Sequence, residues 1–257
     1  MLELRNINVA FNKGTVDEMT LFDGFDFKVQ KGDFVSIVGS NGSGKTTLLN
    51  LTCGTIMPDS GSIIFKGKDI TKMSEHRRAK TIGRVFQDPH LGTCSNLTIL
   101  ENFALADNKH GRFSLAPAIN KKRIDYYKQL VSECKMGLED RMNVKMGALS
   151  GGQRQAAALM IAGMTDIELL ILDEHTAALD PKSSENIMRI TDEVVRKKGL
   201  TALMVTHNLR YAVDYGNRLV MMDKGKVVVD RSAEEKQNIT IEDVLSVFNN
   251  ISIECGN

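Results

Sequence analysis

Five short runs of aliphatic and β-branched residues recur along the chain: Phe34 to Val38, Ile82 to Phe86, Leu169 to Leu172, Ala202 to Val205 and Leu219 to Met222. They are continuous rather than alternating, except that Arg84 interrupts the second, and such runs are the pattern of strands buried on both faces of a parallel sheet. The start of the chain differs. Leu2-Glu3-Leu4-Arg5 and Ile7-Asn8-Val9 alternate, with a slip at Asn6, which predicts a half-exposed antiparallel strand with a bulge and a second, smaller sheet near the N-terminus. Between Pro89 and Met164 helical signals take over: Thr98-x-x-Glu101 is a capping box, and Ile124, Tyr127, Val131 and Cys134 recur at helical spacing. Asp180-Pro181 predicts a helix start, with Ile187, Ile190 and Val194 on one face and Gly199 closing it. Thr240 predicts the cap of a last helix carrying Ile241, Val244, Leu245 and Phe248.

The pattern therefore predicts an α/β protein with a mostly parallel sheet, an N-terminal antiparallel β subdomain and an inserted helical subdomain. One domain is expected over 1–233, its core made of 1–88 and 165–233 and its helical subdomain of 89–164. A short helical tail follows at 234–257.

Chemistry enters at the strand ends. Gly39-Ser40-Asn41-Gly42-Ser43-Gly44-Lys45-Thr46 fits G-x-x-x-x-G-K-[ST] directly after the run Phe34 to Val38, the context a phosphate-binding loop requires. Its glycines let successive N–H groups turn inward, the next helix adds its positive end, and Lys45 adds a point charge. Thr46 offers a hydroxyl to Mg²⁺, and Thr47 continues the helix start. Leu169 to Leu172 ends in Asp173-Glu174, where open α/β sheets bind their ligands. Asp173 suits Mg²⁺, and Glu174 suits a proton acceptor for water attacking a γ-phosphate. Two adjacent acids after a strand also serve as a helix cap or an exposed turn. Gln87 and His207 likewise close strand-like runs; either residue by itself is equally at home in a structural role. Leu149-Ser150-Gly151-Gly152-Gln153 precedes a strongly helical stretch, giving the chain a second helix start with glycine N–H groups suited to an anion.

Composition narrows the alternatives. Lys plus Arg total 33 against 32 acidic residues, a net charge of +1, so no global basic field recruits nucleic acid or an anionic membrane. The longest stretch free of polar side chains, Ala156 to Met164, is nine residues, far below the roughly 20 of a membrane span. The N-terminus carries charge where a signal peptide is apolar, which points to a cytoplasmic chain. Cys53, Cys94, Cys134 and Cys255 stand far apart with no C-x-x-C pair, and are expected to be reduced thiols, mostly packing residues.

Together these motifs resemble the ATP-binding cassette family, the nucleotide-binding subunits of ABC transporters, with a P-loop NTPase core. The resemblance runs to about Asp230. Gly39 to Thr46 matches the family's Walker A, Leu169 to Glu174 its Walker B, Leu149 to Gln153 its signature, Gln87 its Q-loop, Ala178-Leu179-Asp180 its D-loop and His207 its switch histidine. Phe11 falls where the family places an aromatic residue against adenine. The resemblance implies ATP and Mg²⁺ as cofactors, with Mg²⁺ on Thr46, Gln87 and Asp173. It also implies a head-to-tail dimer in which Ser150, Gly151, Gly152 and Gln153 of one copy close over ATP held by the other.

It further implies an importer-type ATPase, peripheral on the inner membrane face, with separate permease subunits, an extracytoplasmic solute-binding protein and no nucleic-acid partner. The permease would dock beside Gln87 to Thr93. A soluble cassette ATPase acting outside transport, or a small-molecule kinase with the same loop, is the alternative. The sequence departs from the family's usual Pro-Thr-Ser with His175-Thr176-Ala177, and lacks the second arginine after the signature. Glu174-His175-Thr176-Ala177-Ala178-Leu179-Asp180 is similar to a subgroup for tryptophan or tyrosine uptake, and His175 is placed to shift the pKa of Glu174.

Overall fold

Phe34–Gly39 is buried at every residue, as its unbroken apolar run demands, and it forms the third strand in chain order. In the computed structural model, which describes residues 1–108 and 117–254, the elements run β1 (Leu2–Phe11), β2 (Met19–Val29), β3 (Phe34–Gly39), α1 (Lys45–Cys53), β4 (Ser60–Phe65), β5 (Lys68–Asp69), α2 (Glu75–Arg78), β6 (Ile82–Val85), α3 (Ile99–Asp107) and α4 (Ile124–Ser132). There follow α5 (Gly151–Met164), β7 (Leu169–Asp173), α6 (Pro181–Lys198), β8 (Thr201–Val205), α7 (Leu209–Asp214), β9 (Arg218–Asp223), β10 (Lys226–Arg231), α8 (Ala233–Lys236) and α9 (Ile241–Glu254). Cys255 and positions 109–116 of the expected helical subdomain lie outside the described residues. The contacts divide into two compact units, one of Met1–Arg78 with the segment from Thr201 onward, the other Ala79–Leu200. Strands β6 and β7 thus group with the helical segment.

In the first unit β1 pairs antiparallel with both β2 and β4, in the order β2-β1-β4-β5. The slip at Asn6 is a real irregularity: Asn6 adopts a φ of 49°, the register shifts between Leu4 and Ile7, and the Asn6 N–H donates to Asp26 Oδ1 at 2.9 Å. A second sheet places β3 parallel to both β8 and β9, with β10 antiparallel to β9. Buried Arg78 donates to the carbonyls of Leu51 at 2.7 Å and Thr52 at 3.1 Å, capping the C-terminal end of α1, where helix carbonyls lack intrahelical partners. The tail docks here too. Val244 of α9 joins Val38, Ala212, Leu219 and Met221, while buried Lys236 donates to the carbonyls of Tyr215 and Gly216.

In the second unit β6 and β7 pair in parallel, from Ile82 opposite Leu169 to Val85 opposite Leu172. Asp180 caps α6 by accepting from the Ser183 N–H at 3.0 Å, and Gly199 closes it in the left-handed region at φ 59°. Its buried stripe of Ile187, Ile190, Val194 and Val195 stabilises by about 1.5–3 kcal/mol for each large side chain removed from water. Thr98 forms the capping box of α3. Cys53 and Cys134 are buried and Cys94 is exposed.

Candidate functional site

Strand β3 delivers the glycine loop at its C-terminal end. Gly39 passes so close to the next strand that a Cβ there would stand 2.2 Å from the carbonyl oxygen of Met222. Gly44, at φ 105°, would drive a Cβ to 2.9 Å from the Phe22 ring. Neither position tolerates a side chain, so the tight curve of the loop follows from its neighbours. Lys45 opens α1 but is buried, and its Nζ bends back to donate to the carbonyls of Gly39 and Ser40, each at 2.8 Å, and to Ser43 Oγ at 3.4 Å. An ammonium ion is thereby fixed inside the loop. Thr46 lies exposed beside it and Thr47 is half-buried.

The turn after β9 fastens the loop from behind. Ser40 Oγ donates to Asp223 Oδ1 at 3.1 Å, and the Gly225 N–H donates to the Ser43 carbonyl at 3.0 Å. Strand β8 ends at Val205, and His207 follows, exposed, after Thr206, whose Oγ1 accepts from the Asn208 N–H at 3.0 Å. His207 and Ser40 share a cleft of about 350 Å³ whose apolar wall comes from Leu209, Leu245 and Phe248. Phe11 sits half-buried at the last position of β1, opposite Met19.

The second unit holds the acids. Strand β7 is buried up to Leu172, and Asp173 emerges at its end. Glu174 then turns the chain in the left-handed region at φ 47°, which costs a non-glycine residue about 1–2 kcal/mol. The burial of His175 and Thr176 just beyond holds that turn. His175 is engaged by Thr191 of α6. The Thr191 hydroxyl donates to the Ile187 carbonyl at 2.8 Å, so its oxygen accepts from His175 Nε2 at 3.0 Å. Burial depresses the imidazole to about 4, so it is neutral at pH 7.

The unfolded chain titrates this group near 6.5. The histidine therefore leaves stability untouched above pH 6.5 and erodes it as pH falls toward 4, by up to about 3 kcal/mol. Urea unfolding at pH 7.5 and pH 4.5 should show the wild type losing about 2–3 kcal/mol more than His175→Leu; equal losses would mean that this imidazole is not buried neutral.

Gln87 is exposed just past β6, and the carbonyl of its neighbour Phe86 is held at 3.0 Å by Nε2 of buried Gln155. At the start of α5, Ser150 Oγ accepts from the Gln153 N–H and Gln153 Oε1 accepts from the Ser150 N–H, both at 3.3 Å. Ser150 and Gly151 are exposed, whereas Gly152 is buried, with room for a Cβ blocked by the Ser183 side chain at 3.0 Å. The Gln153 amide also bonds Arg141 and the Met136 carbonyl, so its side chain braces the loop from inside. Arg154 does similar work below it, donating to the carbonyls of Met146, Gly147 and Leu149 and contacting His90. Gln155 and Asp223 carry no local sequence signal, because each acts on a residue that the chain brings near only on folding.

A phosphate loop alone fits many nucleotide-binding proteins; the serine-capped Leu-Ser-Gly-Gly-Gln helix start narrows the class to ATP-binding cassettes. The ABC transporter family model matches residues 22–177. A tyrosine transport ATP-binding protein of Clostridioides difficile is 42% identical over 248 residues, 96% of this chain and 98% of that protein. A xylose/arabinose import ATP-binding protein of Sulfolobus acidocaldarius is 31% identical over 96% of this chain and 94% of its own. Among solved structures, the dimeric post-hydrolysis state of the cassette MJ0796 bound to ADP and Pi superposes with a TM-score of 0.77 at 27% identity, covering 91% of this chain and 99% of that one. The ADP conformation of the cassette MJ1267 gives 0.80 at 28% identity, covering 100% and 99%. This chain belongs to the ABC transporter family as an ATP-binding cassette, and it is an ATPase.

Proposed function

We propose that this chain powers an importer of an aromatic amino acid, as a head-to-tail homodimer on the inner membrane face, below separate permease subunits served by an extracytoplasmic solute-binding protein. The observation that carries the dimer is the start of α5: Ser150 and Gly151 are ordered by a capping box yet exposed, at the positive end of a 14-residue helix. A phosphate of the second copy's ATP is the ligand such an end suits. The relative 42% identical along nearly its whole length, a tyrosine transport ATP-binding protein, supports the solute class. Methionine import relatives keep amino acids in view and the sugar import relative marks the competing class. Among the described residues no helix is long and apolar enough to cross a membrane, so permeation is assigned to other subunits. For their docking we nominate the stretch from Gln87 to Thr93, where a turn capped by Asp88 presents Leu91, 70% exposed.

In this reading Phe11 stacks on adenine, Gly39 to Thr47 wrap the phosphates, and Lys45 supplies the fixed cation. Glu174 takes the proton of the attacking water while His207 and Gln87 hold that water in line. Thr46, Gln87 and Asp173 would hold Mg²⁺; a hydroxyl, an amide and a carboxylate are the hard oxygen donors that ion prefers, and Asp173 already carries a cationic partner in Arg84. When bound, the ion neutralises charge on the β- and γ-phosphates.

Ser150→Arg tests the composite arrangement. In a Glu174→Gln background, light scattering with ATP should report a dimer for the parent and a monomer for the Ser150→Arg variant, with ATP affinity within about twofold; an unimpaired dimer would remove α5 from the interface. The transport reading is tested by co-purification with a permease and by ATPase stimulation with tyrosine or tryptophan against methionine and xylose. Stimulation by sugar alone would reassign the solute. Failure to capture any permease would favour an ATPase outside transport.

A further inference from the structure

Arg84 interrupts an otherwise apolar strand, and the hydrolytic reading above gives it no task. In β6 it stands opposite Ile171 of the parallel strand β7. Side chains two positions apart share a face, so Arg84 lies on the face of Ile171 and Asp173, with Asp173 roughly 6–7 Å further along. The arginine stem spans that interval. Nη2 donates to Asp173 Oδ2 at 2.6 Å, and the two side chains are only 13% and 14% exposed. The guanidinium also lies over the Phe86 ring, with Cζ 4.7 Å from its centroid, and the Phe86 carbonyl is in turn held by Gln155. The cation is confined between an aromatic face and the carboxylate at the strand end.

Stability alone gives a weak reason for this arrangement. A buried ion pair seldom stabilises more than apolar residues of equal volume, and Ile82 and Val85 show that the strand accommodates aliphatic side chains. The pair does alter Asp173, because the guanidinium offsets its charge and occupies one of the lone pairs a metal ion would use. Phe86 supplies a cation–π surface on which the guanidinium can remain after the carboxylate is withdrawn.

We propose that Arg84 is a positioning residue that holds Asp173 while no Mg²⁺ is bound, yields it when Mg²⁺ arrives with ATP, and so sets the magnesium dependence of nucleotide binding. The inference rests on the reading of Asp173 as a magnesium-binding carboxylate. Mg²⁺ must compete with a charge-assisted hydrogen bond, so removing the arginine should strengthen the coupling between metal and nucleotide by about tenfold or more.

The test measures the affinity of the full chain for a fluorescent non-hydrolysable ATP analogue, with saturating Mg²⁺ and with EDTA. The ratio of the two affinities should rise about tenfold in Arg84→Met and by a smaller factor in Arg84→Lys, which keeps the charge without the planar fork. A ratio within about twofold of wild type in both folded variants would overturn the proposal. Asp173→Asn separates the two readings: if it leaves the ratio unchanged, Asp173 does not serve magnesium; if it abolishes the ratio while Arg84→Met changes nothing, only the role of Arg84 fails. Should Arg84→Met not fold, a crystal structure of the wild type with Mg²⁺ and the same analogue decides. Separation of Arg84 from Asp173 beyond hydrogen-bond distance supports the proposal, and an intact pair beside bound Mg²⁺ refutes it.

Discussion

Glu174→Gln is expected to bind ATP as the wild type does and to turn it over at least about a hundredfold more slowly, the usual loss when a general base is removed. The substitution is clean for a structural reason. Glu174 turns the backbone at φ 47°, and His175 and Thr176 just beyond the turn are buried. Gln has nearly the same shape and hydrogen-bonding reach, so the change removes proton acceptance and leaves the geometry. Phosphate release under single-turnover conditions reads the effect, and the ATP-bound dimer should accumulate because nothing dissolves it. Turnover within about threefold of wild type would take Glu174 out of the proton transfer.

Lys45→Ala should weaken ATP binding by at least about a hundredfold, which corresponds to roughly 3 kcal/mol. Two losses combine. The ammonium that Gly39, Ser40 and Ser43 hold in place would no longer meet the phosphates, and the loop oxygens it joins would lose the donor that gathers them. Calorimetric titration with ATP measures the first; a thermal melt of the nucleotide-free protein measures the second, and a modest melting shift with a large affinity loss would assign most of the effect to the charge. Lys45→Arg is a poor rescue, since a rigid planar fork does not reproduce a point charge seated among three closely spaced oxygens. An unchanged titration would refute the cradle.

The parts legible in the sequence are those that local chemistry dictates. Continuous aliphatic runs announced β3, β6, β7, β8 and β9 because both faces of those strands are buried, and the bulge at Asn6 showed as a break in alternation. Asp180-Pro181, Gly199 and the Thr98 capping box marked helix ends because a cap answers to the backbone beside it. Strand β2 escaped notice, since Asp23, Gly24 and Asp26 break its alternation, and its position is set by pairing with β1 rather than by its own residues. The phosphate loop is readable because its motif falls within eight residues, although the groups that exclude a Cβ at Gly39 and Gly44 belong to Met222 and Phe22.

What fastens that loop, and what pairs with the acid at the end of β7, is not readable. Ser40 and Asp223 lie 183 positions apart, and Arg84 and Asp173 lie 89 apart, so no window of sequence contains both partners. His175 shows the converse limit. Beside an acid, an imidazole reads as a charge, yet the fold uses it as a neutral plug against Thr191, and only the burial of the ring reveals that.

The family match ends at residue 177, but the protein cannot be trimmed there, nor at the end of β10. Lys236 satisfies two backbone oxygens of the segment leading into β9, and Val244 shields the apolar flank of β3 beside the glycine loop. A gene shortened to β10 would encode a chain with a bare hydrophobic wound next to its nucleotide pocket, prone to clumping before any assay began.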